Sequence, residues 1–404
     1  MQAPPAAGFD TRSGKRCENL PRRESEADRL YFPFSDFSPL SAPIPATAAL
    51  YADFMRTRMF GSLDGLRCLS ILAVIWHHTK GDALHWLPGS NRGFLGVDLF
   101  FVISGFLIVT LLLRERTATS SISLLNFYGR RTLRIFPAYY GLLAALSGFF
   151  LVAQHSNSAQ AFFAELPYHA TYTSNFIVAT SFMGISWSLA TEEQFYLLWP
   201  PIEKFLGRLV LPTLGLVLVA NQLVNFRIAD PWLMQAFGVV HDDLDILQAT
   251  FTPICLGVGL AHLLHRERGF ALASRFLGLR AASMSCLLLL VLLGNLPSED
   301  ISGWQRLAIQ LTMAALVCSC VVREDHGLRQ FLTWAPIKRI GAISYGMYLY
   351  HVVAIYFAQK FWTDFGGQLS WVKFALAAII TIAIAELSFR FFEQPVLTLK
   401  RYFR

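Results

Sequence analysis

Apolar residues in this chain gather into long blocks separated by short polar or proline-rich intervals, and the block lengths set the architecture. Ten of them approach the ~20 residues that a helix needs to cross a hydrocarbon core. They lie at about 66–84, 94–113, 137–154, 187–206, 208–225, 247–265, 276–296, 304–322, 340–360 and 371–391. The first, fourth and ninth are interrupted by polar residues or prolines, so their ends are soft. The pattern predicts an all-α, polytopic membrane bundle of about ten transmembrane helices. Before the first block, residues 1–58 are rich in Pro, Ala, Ser and Arg and carry no sustained apolar period. The stretch 31–51 is broken by prolines, and no basic start, apolar centre and small-residue cleavage site marks a signal peptide. The expectation is a disordered cytoplasmic tail over 1–58, for which Met55 or Met59 offers an alternative start. A membrane domain over 59–396 follows, then a short basic tail over 397–404, with no internal repeat and no appended soluble domain.

Composition supports the blocks. With 54% hydrophobic and 15% charged residues, the chain falls outside the range of ordinary soluble domains. The charge distribution then orients the spans. Arg22, Arg23, Arg56 and Arg58 precede the first. Arg114, Arg116, Arg130, Arg131 and Arg134 lie between the second and third. Arg266, Arg268, Arg275 and Arg280 follow the sixth, and Arg323, Arg329, Lys338 and Arg339 follow the eighth. The alternate loops lack them: 155–186 has no Lys or Arg, and the loop after the fifth span carries Asp230, Asp242, Asp243 and Asp245. Positive loops stay inside, so both termini are expected in the cytoplasm, which agrees with an even number of spans. The net charge of +7 is thereby topology and not a nucleic-acid signal. Six scattered cysteines (Cys17, Cys68, Cys255, Cys286, Cys318, Cys320) show neither zinc spacing nor a disulfide framework, and read as core residues.

The first block carries the most unusual chemistry. From Leu63 it runs L-D-G-L-R-C-L-S-I-L-A-V-I-W-H-H-T. At about 100° per residue, Arg67 and His78 fall on one helical face, about 16 Å apart, with Asp64 on the same side and His77 about 80° away. Ionisable groups inside a membrane are costly and face a bundle interior or a water-filled cavity. Four further motifs carry polar groups into apolar surroundings. Asp98 sits early in the second block, within G-V-D-L-F-F-V-I-S-G-F-L-I, where it either serves a site or caps the span; Ser104-Gly105 permits close helix packing. Arg130, Arg131 and Arg134 stand in N-F-Y-G-R-R-T-L-R-I-F-P-A-Y-Y. The last two lie one turn apart, suited to gripping one phosphate, although cytoplasmic arginines also follow from topology. The fourth block opens W-S-L-A-T-E-E-Q-F-Y-L-L-W-P. Glu192 and Glu193, about 100° apart on a helix, either face outer water, or one lines a cavity while the other pairs with an arginine. In I-G-A-I-S-Y-G-M-Y-L-Y-H, Ser344, Tyr345, Tyr348 and His351 keep helical spacing, and His351 alone reads more simply as a core histidine. Glu386 and Arg390 at i, i+4, and the closing F-F-E-Q-P, read as structural.

Taken in order, these five motifs resemble the acyltransferase-3 family of integral membrane acyltransferases over about residues 60–395. The resemblance implies an enzyme of the bacterial inner membrane that moves an acyl group, most often acetyl from acetyl-CoA, to a hydroxyl. Its acceptors include carbohydrates, lipopolysaccharide, peptidoglycan, exopolysaccharides and some antibiotics. The family's Arg and His with ten intervening residues fall on Arg67 and His78, the histidine that the helical face had already selected. Its Arg-x-x-Arg element falls on Arg131 and Arg134, its acidic position on Asp98 and its glutamates on Glu192 and Glu193. The long N-terminal tail departs from the family pattern, and no esterase-like domain follows. In the mechanism so implied, His78 is the general base or a transient acyl carrier, and Arg67 steers the donor or polarises the thioester. Asp98 or a glutamate orients the imidazole. Arg130, Arg131 and Arg134 hold the phosphates of acetyl-CoA, while Tyr345, Tyr348 and His351 contact the acceptor. No metal is implied. A small-molecule or lipid-linked acceptor is the alternative, and a polytopic transporter the rival class; the latter predicts an inverted repeat, which the sequence lacks.

Overall fold

The computed structural model describes residues 45–57, 59–79, 92–152, 156–240, 242–248, 251–298, 300–364 and 370–403, all within one compact unit, Ser41–Arg404. Among the described residues the chain is helical and has no strand. In order come α1 (Pro45–Arg56), α2 (Gly61–His78), α3 (Leu95–Thr119), α4 (Leu124–Val152), α5 (Asn157–Ala170), α6 (Ser186–Phe205), α7 (Val210–Asn225), α8 (Asp230–Phe237) and α9 (Asp245–Gln248). Then follow α10 (Thr252–His265), α11 (Glu267–Leu277), α12 (Ala282–Gly294), α13 (Trp304–Val322), α14 (Arg329–Leu332), α15 (Ala335–Ala342), α16 (Ser344–Asp364), α17 (Ser370–Ser388) and α18 (Gln394–Leu397).

Each of the ten apolar blocks carries a helix, but the expected count of about ten spans is not reached by length and hydropathy. Five segments qualify alone (α3, α4, α7 with its preceding turn, α13, and α17 with the turns that follow it), and eight if each of three bent pairs is one span. Those pairs are α1/α2, α11/α12 and α15/α16. The two blocks that fall short have physical reasons. Fourteen residues in α10 rise only about 21 Å at 1.5 Å each. The α6 block is diluted by Glu192, Glu193, Gln194, Glu203 and Lys204. A second correction concerns the tail: Pro45–Arg56 is helical and packs on α11 and α13, so the structureless segment expected over 1–58 does not include it. Phe54 supplies the reason, being buried against Phe270 with ring centroids 5.3 Å apart. The remainder of that call, residues 1–44, lies outside the described residues, as does Cys17; the five described cysteines are buried.

The centre of the bundle is α3, apolar all round and buried over most of its length, as a helix surrounded by other helices must be. Its most extensive partner is α10. There Gly105 lies against the Ile254 carbonyl, and Gly257 lies against the Val102 carbonyl and the Phe106 amide, so two backbones touch where no side chain intervenes. Large apolar side chains on α7, α12 and α17, such as Leu216, Leu288 and Ile379, face outward, the arrangement a lipid solvent permits. Gly257→Leu is expected to drive these backbones apart. Overpacking costs about 1–3 kcal/mol where side chains can shift; a carbonyl cannot, so a loss at or above the top of that range is expected, read as a lowered midpoint of thermal unfolding in detergent.

Candidate active site

A cavity of about 110 Å³ opens between α2, α3, α4, α6 and α16. Three guanidinium groups line it (Arg67, Arg131 and Arg134) together with Glu192 and Glu193. They come from three separate motifs of the sequence, and the fold brings them together by close helix approach. Gly341, at the end of α15, lies directly on the Asp64 carbonyl of α2, which lets the α15/α16 bend press against Arg67. On α4, Pro137 cannot donate to the Leu133 carbonyl, and between these two residues the Tyr345 hydroxyl donates to Ile135 O at 2.8 Å. That bond ties α16 to the arginine-bearing turn.

The charges are partly matched within the wall. Arg67 donates to Asp64 at 3.1 Å. Arg131 stacks over Tyr196, 5.1 Å from the ring centroid, and over Phe127 at 5.9 Å. Arg134 donates to Ala342 O at 3.4 Å and feels the Glu393 carboxylate. Glu192 lies within hydrogen-bonding reach of the Ser104 and Tyr196 hydroxyls. Both glutamates line the cavity, whereas the sequence offered either both facing outer water or one lining a cavity while the other pairs with an arginine. The cavity curves around α6 far enough to collect side chains about 100° apart, and Arg131 acts on both.

His78 is not in that cavity wall. It is exposed at the C-terminal end of α2, with Nδ1 2.9 Å from Val74 O. A carbonyl only accepts, so Nδ1 carries the proton and the lone pair of the neutral ring is on Nε2. The bridge to the cavity is α16. Tyr348 lines the cavity and holds Ser188 Oγ at 2.6 Å; its ring lies 5.4 Å from His351, whose ring in turn meets His78 edge-to-face at 4.9 Å. His77 lies on the other side of His78, 5.2 Å from its ring and 5.5 Å from Phe94.

Two expected residues stand away from this group. Asp98 is buried and bound to α13, accepting from Arg306 at 3.1 Å and Gln310 at 3.0 Å. The His78 imidazole is therefore oriented by its own helix carbonyl and not by Asp98. Arg130 does not line the cavity either; it donates to Phe403 O at 2.8 Å and pairs with Glu115 at 3.5 Å. Lys400 is close enough to Arg130, Arg131 and Arg134 for its charge to act on all three, which makes a basic cluster of four. Its one signal in the sequence was the basic end of the chain. Ser188 and Tyr196 were also passed over, although they lie four residues before and after Glu192, on its helical face.

The start of α6 is held from outside by a buried polar network. Burial favours the neutral form of Glu165, yet hydrogen bonds from Ser181 and Thr180 outweigh it and hold this carboxyl below its ordinary range. The Thr180 amide donates to it at 2.8 Å and the Ser181 amide at 3.2 Å. His169 joins Glu165 at 3.3 Å to Ser186 Oγ at 2.9 Å, fixing the first residue of α6.

Residues 60–389 match the acyltransferase domain of the acyltransferase-3 family. The chain belongs to that family. An acyltransferase-3 relative from Staphylococcus aureus (strain COL), provisionally named an O-acetyltransferase, is 29% identical over 371 residues, covering 85% of this chain and 58% of its own. The O-acetyltransferase OatA of Staphylococcus aureus (strain NCTC 8325 / PS 47) is 28% identical over 363 residues, with 84% and 57% covered. The chain thus spans just under three fifths of the length of the curated relatives it matches. No solved structure matches. The family and the apolar helices together make this a multi-pass membrane protein.

Proposed function

We propose that this acyltransferase-3 protein is an O-acetyltransferase that carries acetyl from acetyl-CoA to a hydroxyl of a carbohydrate or cell-surface glycan. The observation that carries the reading is the convergence of Arg67, Arg131, Arg134, Glu192 and Glu193 on one cavity, joined through Tyr348 and His351 to an imidazole whose Nδ1 is held by Val74 O, leaving Nε2 as its basic nitrogen. Three guanidinium groups suit a phosphorylated donor, because planar forks bind phosphate oxygens in pairs. Acyl transfer needs a base for the hydroxyl and a positive or hydrogen-bonding group for the oxyanion. His78 supplies the base; Arg67, about 16 Å away along α2, stays with the guanidinium groups that face the donor. The donor enters from the cytoplasmic side, where the basic loops and both termini lie, and the acceptor meets His78 across the bilayer of the inner membrane. Tyr345, Tyr348 and Glu192 line the cavity on the donor side.

The test is turnover by the full chain in nanodiscs, with labelled acetyl-CoA and a panel of oligosaccharides, lipid-linked sugars and small alcohols. Ester formed on a glycan supports the proposal, and ester formed on a lipid-linked or small acceptor alone replaces its acceptor class. No consumption of acetyl-CoA with any of them would overturn it. Lys400→Gln is expected to raise the donor KM about fivefold to tenfold at low salt, an effect that shrinks as ionic strength rises. Unchanged KM at low salt would remove Lys400 from the donor site.

A further inference from the structure

His351 presents a problem that the acceptor-contact role leaves unsolved. Its side chain is fully buried, its Nδ1 donates to Tyr348 O at 2.6 Å, and its Nε2 meets no partner. With the proton on Nδ1, that Nε2 bears the lone pair, and an unmatched acceptor in the interior is costly. The His78 ring, 4.9 Å away at an interplanar angle of 71°, has the same tautomer for the same reason. Two lone pairs cannot satisfy each other while both rings are neutral. The mismatch disappears once His78 takes a proton, because its Nε2 then becomes a donor.

We infer that His351 is a positioning residue for His78: its unpartnered Nε2 accepts, directly or through one water, from the His78 imidazolium formed during acyl transfer. This rests on the acyl-transfer reading above. In the step so assisted, the hydroxyl proton passes to His78 Nε2 and the new C–O bond forms as the thioester C–S bond breaks. The proton then moves from His78 to the departing thiolate, leaving an ester and a free thiol. Hydrogen bonds to charged groups are roughly twice as strong as neutral ones, so the pairing matters only in the protonated state. Other titratable groups near the pair are His77 on α2 and Tyr348 on α16, with Glu192 of α6 and Asp245 of α9 acting on that tyrosine. On α17, which packs against both helices, there is Lys373.

The experiment measures kcat against pH for thiol release from acetyl-CoA, with chitotetraose as acceptor, by the full chain in nanodiscs. His351→Leu is expected to lower kcat roughly tenfold to a hundredfold while leaving the donor KM within about twofold. It is also expected to shift the acid limb by about one pH unit to lower pH, since an imidazolium without its acceptor loses the proton more readily. His351→Gln, which keeps an acceptor at the same reach, is expected to restore most of both. If the leucine variant is not recovered folded, His351→Met carries the same comparison. An unmoved acid limb, or a glutamine variant no better than leucine, would overturn the inference, because lost packing alone lowers activity without moving the limb. An inactive His78→Ala beside an unaltered His351→Leu overturns the role of His351 alone. A fully active His78→Ala, or a wild type that releases no thiol with any acceptor of the panel above, overturns the acyl-transfer reading beneath it.

Discussion

His78→Ala is expected to reach the membrane in normal amount and to lose about 10²–10⁴ in kcat, the usual cost of removing a general base. The structure makes the expectation specific to one nitrogen. Nδ1 is committed to Val74 O, so on this ring only Nε2 can receive the hydroxyl proton; of the two described histidines beside it, His351 has its Nε2 buried and His77 packs between the His78 and Phe94 rings. Because His78 is exposed at the end of α2, truncating it opens no internal void, and folding should be little affected. His77→Ala is the control and should cost at most a few-fold. The measurement is single-turnover transfer from labelled acetyl-CoA by equal amounts of monodisperse protein. Wild-type rates from the His78 variant, or equal losses at the two positions, would remove His78 from the chemistry.

The second large effect is expected from the double variant Arg131→Gln, Arg134→Gln. A charge-assisted hydrogen bond contributes about 1.5–3 kcal/mol, so losing two phosphate partners should raise the donor KM at least a hundredfold while kcat at saturation changes far less. Arg131 rests on the Tyr196 and Phe127 rings and Arg134 bonds only a carbonyl at 3.4 Å. Neither is the sole tie between two helices, because Tyr345 still joins α16 to Ile135. Donor affinity, read by thiol release across acetyl-CoA concentration, is therefore separable from stability. A double variant whose KM is unchanged would place the donor phosphates elsewhere.

Much of this arrangement was legible because membrane chemistry makes ionisable residues conspicuous. Arg67, Arg131, Arg134, Glu192 and Glu193 each stood out as charge in an apolar block, and they share a cavity. Helical periodicity set His78 apart from His77; in the structure the two rings lie 5.2 Å apart, the first also meeting His351 and the second Phe94. What escaped notice was neutral or distant in sequence. Ser188 and Tyr196 flank Glu192 on one helical face but carry no charge to attract attention. Asp98 was conspicuous for the right reason, yet its partners Arg306 and Gln310 lie about two hundred residues on, a separation that periodicity cannot bridge. The helix over 45–56 was hidden by the prolines around it. Its stability comes from Phe54 meeting Phe270, a tertiary contact and not a local preference.

The crossing of α3 and α10 also bears on how the molecule can move. Backbone wedged into backbone at Gly105 and Gly257 has no intervening side chains to repack, so these two helices cannot slip past each other as layers do in shear motions. They form a rigid keel. Gly341 pins α15 to α2 in the same way, so any breathing of the cavity falls to the helices that meet it through side chains, α4 and α6.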